Sequence, residues 1–131
     1  MTDFIEILKR SLAGANDAYQ IAVSDLKEVT AGVDDAVSKL TNGMLHVRLG
    51  ELTKNPQETI LNLNIWKGAS ANVISAFRIS GKGYPIEYGR YQSGFQLAGT
   101  LADKDKLQEY FTSMLADQNS PIVVHIAFAL R

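Results

Sequence analysis

The chain has 131 residues, 46% of them apolar and 21% charged, with a net charge of −1 and no cysteine. That length fits one domain, residues 1–131, with a core large enough to need no staples. The missing cysteine excludes disulfides, thiolate nucleophiles and Cys-based zinc or iron–sulfur centres.

The chain opens with an acid, Asp3, and charges interrupt its apolar residues, unlike a secretory signal. No window approaches the roughly 18 uninterrupted apolar residues of a membrane span. The expectation is a cytoplasmic protein that makes no membrane contact.

Residues 1–42 read as helix. Ile5, Leu12, Tyr19, Leu26, Val33 and Leu40 recur every seven residues. Leu8, Ala15, Ala22, Val29 and Ala36 fill the position three residues on, completing an unbroken a/d heptad pattern. A straight helix from Thr2 to Thr41 would be roughly 60 Å long, longer than a domain of this size, about 35–40 Å across. Two glycine-then-Asn/Asp sequences, at Gly14 and Gly32, have the grammar of a helix stop and restart. A kink or break near Gly32 is therefore expected. Without it the stripe would outrun the sheet and leave about two to three heptads bare, and a homodimer would be the simplest remedy.

Residues 43–131 read as a β-meander, a helix and a C-terminal strand. Met44–Gly50, Thr59–Trp66 and Asn72–Ile79 alternate apolar and polar residues, with turns at 53–57 and 67–69. A fourth strand is expected around Tyr84, Ile86 and Tyr88, with a two-residue turn at Gly89–Arg90, although a long glycine-rich loop fits too. Pro85 would restrict such a strand to an edge. Thr100 and Asp103 have capping-box spacing. The stripe Leu107, Tyr110, Phe111, Met114 and Leu115 then predicts an amphipathic helix that stops before Pro121. Ile122–Leu130 alternates with both faces apolar except for His125 and reads as a central strand. The fold class is thus α+β: an antiparallel sheet of four to five strands, a long N-terminal helical segment and a second amphipathic helix, in the order α(α)-β-β-β-(β)-α-β. Leu61, Leu63, Ile65, Val73, Phe77, Val124, Ile126 and Phe128 are the expected core of the β half.

No catalytic constellation is visible. His46 and His125, the only histidines, have no ligand spacing that suggests a metal. Ser80–Gly83 forms neither a nucleophile elbow nor a Walker loop. Neither a metal nor a cofactor is expected. The candidate binding residues are Arg78, Lys82, Tyr84, Glu87, Tyr88, Arg90 and Tyr91, which crowd aromatic and cationic groups into 14 residues, the chemistry of interface hot spots. Trp66, among polar residues of one sheet face, is a second anchor. Residues 44–102 hold six bases and three acids, hence +3 in an otherwise acidic chain. The overall acidity and the lack of any RNP1 or helix-turn-helix signature disfavour nucleic acid. These features suggest a non-catalytic protein-interaction module: an adaptor, immunity-type inhibitor, chaperone-like protein or assembly subunit that self-associates. The alternative is a small-ligand or anion-binding protein, an enzyme among the options, using Lys82, Arg78, Arg90 and Glu87 in segment 80–94.

Overall fold

A computed structural model describes residues 2–131. One helix, α1 (Phe4–Leu40), leads into five strands: β1 (Leu45–Lys54), β2 (Glu58–Lys67), β3 (Ser70–Ser80), β4 (Gly83–Tyr91) and β5 (Phe95–Leu101). Two helices close the chain, α2 (Lys104–Ala116) and α3 (Pro121–Ala129). The strands form a single antiparallel meander in chain order. This is the expected α+β class.

The helix α1 does not break. The Asp3 side chain caps its start by accepting from the Ile5 and Glu6 N–H groups, and Gly43 in the left-handed region ends it. Gly32 lies within the helix on its exposed side, and nothing approaches the position of its missing Cβ. A mid-helix glycine costs only about 1 kcal/mol. Leu26, Val33 and Val37, on either side of it, are buried in one phase, and a break would strip one half of that stripe from the core. Packing therefore overrides the local stop signal.

The core lies between α1 and one sheet face. Ala22, Leu26, Val33 and Val37 meet Leu61, Leu63, Ile65, Phe77, Ile79 and Ile86, and Leu107 and Phe111 of α2 close it at the side. Phe77 stacks on Phe111 with centroids 5.9 Å apart. Gly83 marks a close approach of α1 to the sheet: a Cβ there would lie 2.3 Å from the Ala18 carbonyl oxygen. At the other flank β1 is an edge strand. Its Val47 N–H donates to Asp34 Oδ1 on α1 at 2.8 Å, and His46 Nδ1 lies 3.2 Å from the same oxygen.

Several expected elements are corrected. Ile122–Leu130 is not a strand. Ser120 caps a helix by accepting from the Val123 N–H, and Pro121 takes the first turn. An apolar run with no polar face has no periodicity that separates strand from helix. In that helix Ile122 is buried and Ile126 half-buried, but Val124 and Phe128 are 52% and 68% exposed, so the last two leave the core. Val73 leaves it as well, at 59% exposure. Leu63 pairs with Ser75 and Asn64 with Val73, so Ile74 is a bulge that reverses the faces of β3. Gly89–Arg90 is not a turn; β4 continues to Tyr91 and the chain reverses at Gln92–Gly94 into a fifth strand. Pro85 sits at an irregularity between Ser80 and Arg78 and beyond the end of β5, so an interior strand tolerates it. The cap of α2 is Asp103, not Thr100.

Candidate interaction surfaces

The alternation of β4 divides the tyrosine–arginine segment between two sheet faces. Arg78 and Glu87 are register partners on the face away from the helices. Arg78 Nε donates to Glu87 Oε2 at 2.7 Å, and the guanidinium also contacts this carboxylate through Nη2. Glu58 Oε2 stands 3.7 Å from Nε, and the Phe95 ring lies 4.6 Å beneath the guanidinium. Both charges are therefore engaged within the molecule. Lys82 is exposed in the β3–β4 turn.

Tyr84 and Tyr88 point the other way. Tyr84 Oη donates to Asp25 Oδ2 on α1 at 2.7 Å. Burial, and then that hydrogen bond, hold the Tyr84 hydroxyl protonated well above the ordinary tyrosine range. Lys104 joins this ladder, 2.8 Å from Glu28 and 3.9 Å from Asp25, and the Glu28 hydrogen bond raises its ammonium pKa. Tyr88 packs on Tyr110, ring centroids 4.5 Å apart. Tyr110 Oη lies 2.8 Å from Ser75 Oγ, and burial raises its pKa.

Tyr88 and Arg90 share a cavity, an open cleft of about 400 Å³ between the β4–β5 hairpin and α2, with Ser75, Leu97 and Tyr110. Tyr91 lies exposed at the end of β4. Trp66 lies two strands away, on β2 beside the β2–β3 turn. The seven residues of the segment are thus divided between the two sheet faces, with Trp66 apart from them, and four of the seven, Arg78, Tyr84, Glu87 and Tyr88, make contacts within the fold.

Two apolar surfaces are unpartnered instead. The first is the beginning of α1. Every residue from Thr2 to Asp17 is exposed, including Phe4 at 71%, Ile5 at 66%, Leu8 at 60% and Leu12 at 66%. These residues lie on the stripe that Ala22, Leu26, Val33 and Val37 bury further along, so the sheet ends before the stripe does. With 1.5 Å per residue, α1 is about 55 Å long, and its first 14 residues project about 20 Å. The charged residues of this overhang, Asp3, Glu6, Lys9, Arg10 and Asp17, occupy the opposite helix face. At its foot is a cavity of about 140 Å³ lined by Tyr19, Lys54, Asn55, Pro56, Glu58, Thr59 and Gly81.

The second surface is α3, apolar apart from His125, with a groove of about 400 Å³ between it and Leu45, Ile65, Trp66 and Lys67. Trp66 is the one expected anchor that borders it; Val124, His125 and Phe128 supply the α3 side. The sequence signals for the two surfaces were the overlong heptad run and the Ser120–Pro121 cap.

Among the described residues no group of three or more His, Cys, Asp or Glu could hold a metal ion, and no helix is long and apolar enough to cross a membrane. No protein-family model matches the chain, and no curated protein or solved structure is significantly similar to it.

Proposed function

We propose that this chain is a non-catalytic, cytoplasmic protein-interaction module, an adaptor or assembly subunit that self-associates. One observation carries the reading: an amphipathic helix overhang whose apolar side chains are bare although they continue a buried stripe. Burying an aliphatic or aromatic side chain is worth about 1.5–3 kcal/mol. Four such side chains on each overhang offset an association cost of about 4–15 kcal/mol, so pairing in the micromolar range or tighter is within reach. The cysteine-free composition is compatible with a reducing compartment. The anion-binding alternative has no comparable support, since Arg78 is neutralised by Glu87 and the cations do not converge. The test is light scattering at micromolar concentration. The native chain should have at least the mass of a dimer, and Leu8→Glu with Leu12→Glu should return it to a monomer with an unchanged helical spectrum. A native monomer whose mass is constant from micromolar to submillimolar concentration would remove the basis for this function.

A further inference from the structure

We infer that the partner of the overhang is the overhang of a second copy, antiparallel to it, with each Phe4 seated in the cavity at the other's foot. The inference rests on the interaction reading above and names its partner.

The residues select this occupant in three ways. First, the overhang is self-complementary in size when two copies run antiparallel about a twofold axis that crosses the apolar stripe at the level of residue 10. Leu8 then faces the partner copy's position 12, and Ile5 faces position 15, an alanine. Large residues meet small ones at both ends of the contact, allowing close approach. A parallel pair would set Ile5 on Ile5 and Ala15 on Ala15, with a bulge at one end and a gap at the other. Second, the same register brings Phe4 level with position 16 of the other helix. A helical side chain leans toward its own N-terminus, which carries this ring on toward the foot, where Tyr19, Pro56 and Gly81 line a cavity of about 140 Å³. Phe4 is the most exposed large apolar residue of the overhang, at 71%. Third, the polar face carries Asp3, Glu6 and Asp17 against Lys9 and Arg10, a net charge of −1. A helix seated on anionic lipid carries a basic polar face, so a membrane surface is the poorer match.

The arrangement closes on itself, as twofold contacts do. It makes an elongated particle: two helices of about 55 Å overlapping by about 20 Å span about 90 Å. The α3 grooves, beside Leu45 at the far end of each α1, then lie at opposite tips.

The cysteine-free chain allows a clean test. Ile5→Cys and Ala15→Cys chains, oxidised separately, should remain uncrosslinked, because identical positions lie about 15 Å apart along the axis, beyond the reach of a disulfide. Mixed in equal amounts, they should crosslink to each other. Phe4→Ala should weaken association at least about tenfold in Kd without altering the helical spectrum, since Phe4 adds nothing to the core. Small-angle scattering should give a maximum dimension near the value above. Crosslinking of Ile5→Cys with itself would show a parallel pair and overturn the proposal. A dimeric native chain whose mixed cysteine variants do not crosslink would place the contact elsewhere and overturn it while leaving the interaction reading intact. A native monomer would sink both.

Discussion

The two halves of α1 carry one apolar stripe and meet opposite fates. Ala22, Leu26, Val33 and Val37 are at most 6% exposed, whereas Phe4, Ile5, Leu8 and Leu12 are at least 60% exposed. The heptad pattern is the same on both sides of Tyr19, whose hydroxyl meets Thr59 Oγ1 at 2.6 Å near the start of β2. What changes is the extent of the sheet beneath. A periodic pattern therefore specifies an adhesive face, while the length of the neighbouring element decides whether that face is satisfied within the chain.

Substitutions along α1 and at its contacts can break or sharpen this contrast. The largest effect should come from Leu26→Ala in the packed half, which deletes a fully buried side chain and should cost about 2–5 kcal/mol in denaturant unfolding. Gly83→Ala should come next. Its φ of +82° and the Ala18 carbonyl 2.3 Å from the new Cβ leave no unstrained position. The left-handed backbone alone costs about 1–2 kcal/mol, with displacement of α1 added, and the melting temperature should fall accordingly.

Tyr84→Phe removes the bond that ties β4 to Asp25 and should cost about 0.5–1.5 kcal/mol at neutral pH. Its pH dependence has a definite sign. The folded-state pKa of Tyr84 is raised, so its contribution is fully present below the ordinary tyrosine value of about 10 and is lost as pH climbs from there through the folded value. The difference between native chain and variant, followed by unfolding at increasing pH, should shrink above about pH 10.

Gly32→Ala should stabilise by about 0.5–1 kcal/mol, since the site is helical, exposed and open; a loss instead would restore the case for a hinge there. Leu12→Ala should be smallest, within about 0.5 kcal/mol when unfolding is measured on dilute, dissociated chain. A core-sized loss there would mean that the overhang is buried within its own molecule.

The sequence made the meander legible because β1, β2 and most of β3 cover one face with apolar side chains and leave the other polar, so Leu61, Leu63, Ile65 and Phe77 announce their direction. It does not reveal Ile74 as a bulge, since an inserted residue changes pairing and not composition, and simple alternation therefore puts Val73 on the wrong face. The run Ile122–Leu130 was opaque for a different reason: with no polar face, neither period stands out, and only the Ser120–Pro121 cap favours a helix. At Gly32 a local stop signal was real but small beside the burial of Leu26 and Val33. The tyrosine–arginine segment looked like one surface because its residues are close in sequence. Strand alternation sends Glu87 one way and Tyr84 and Tyr88 the other, and partners distant in sequence, Asp25 and Tyr110, engage the tyrosines. The bare stripe was legible through geometry, as a helix too long for its domain.

The carboxylate of Asp34 has a consequence for how this chain behaves when crowded. An outer strand with free amides is a template on which a stray strand can accrete, the first step toward fibrils. Asp34 occupies the Val47 amide on that border, and the irregular register between Glu51 and Thr53 interrupts it further along. The growth-prone rim of β1 is thus obstructed at two points. Asp34→Ala would free the Val47 amide, and the variant should nucleate thioflavin-positive aggregates sooner than the native chain.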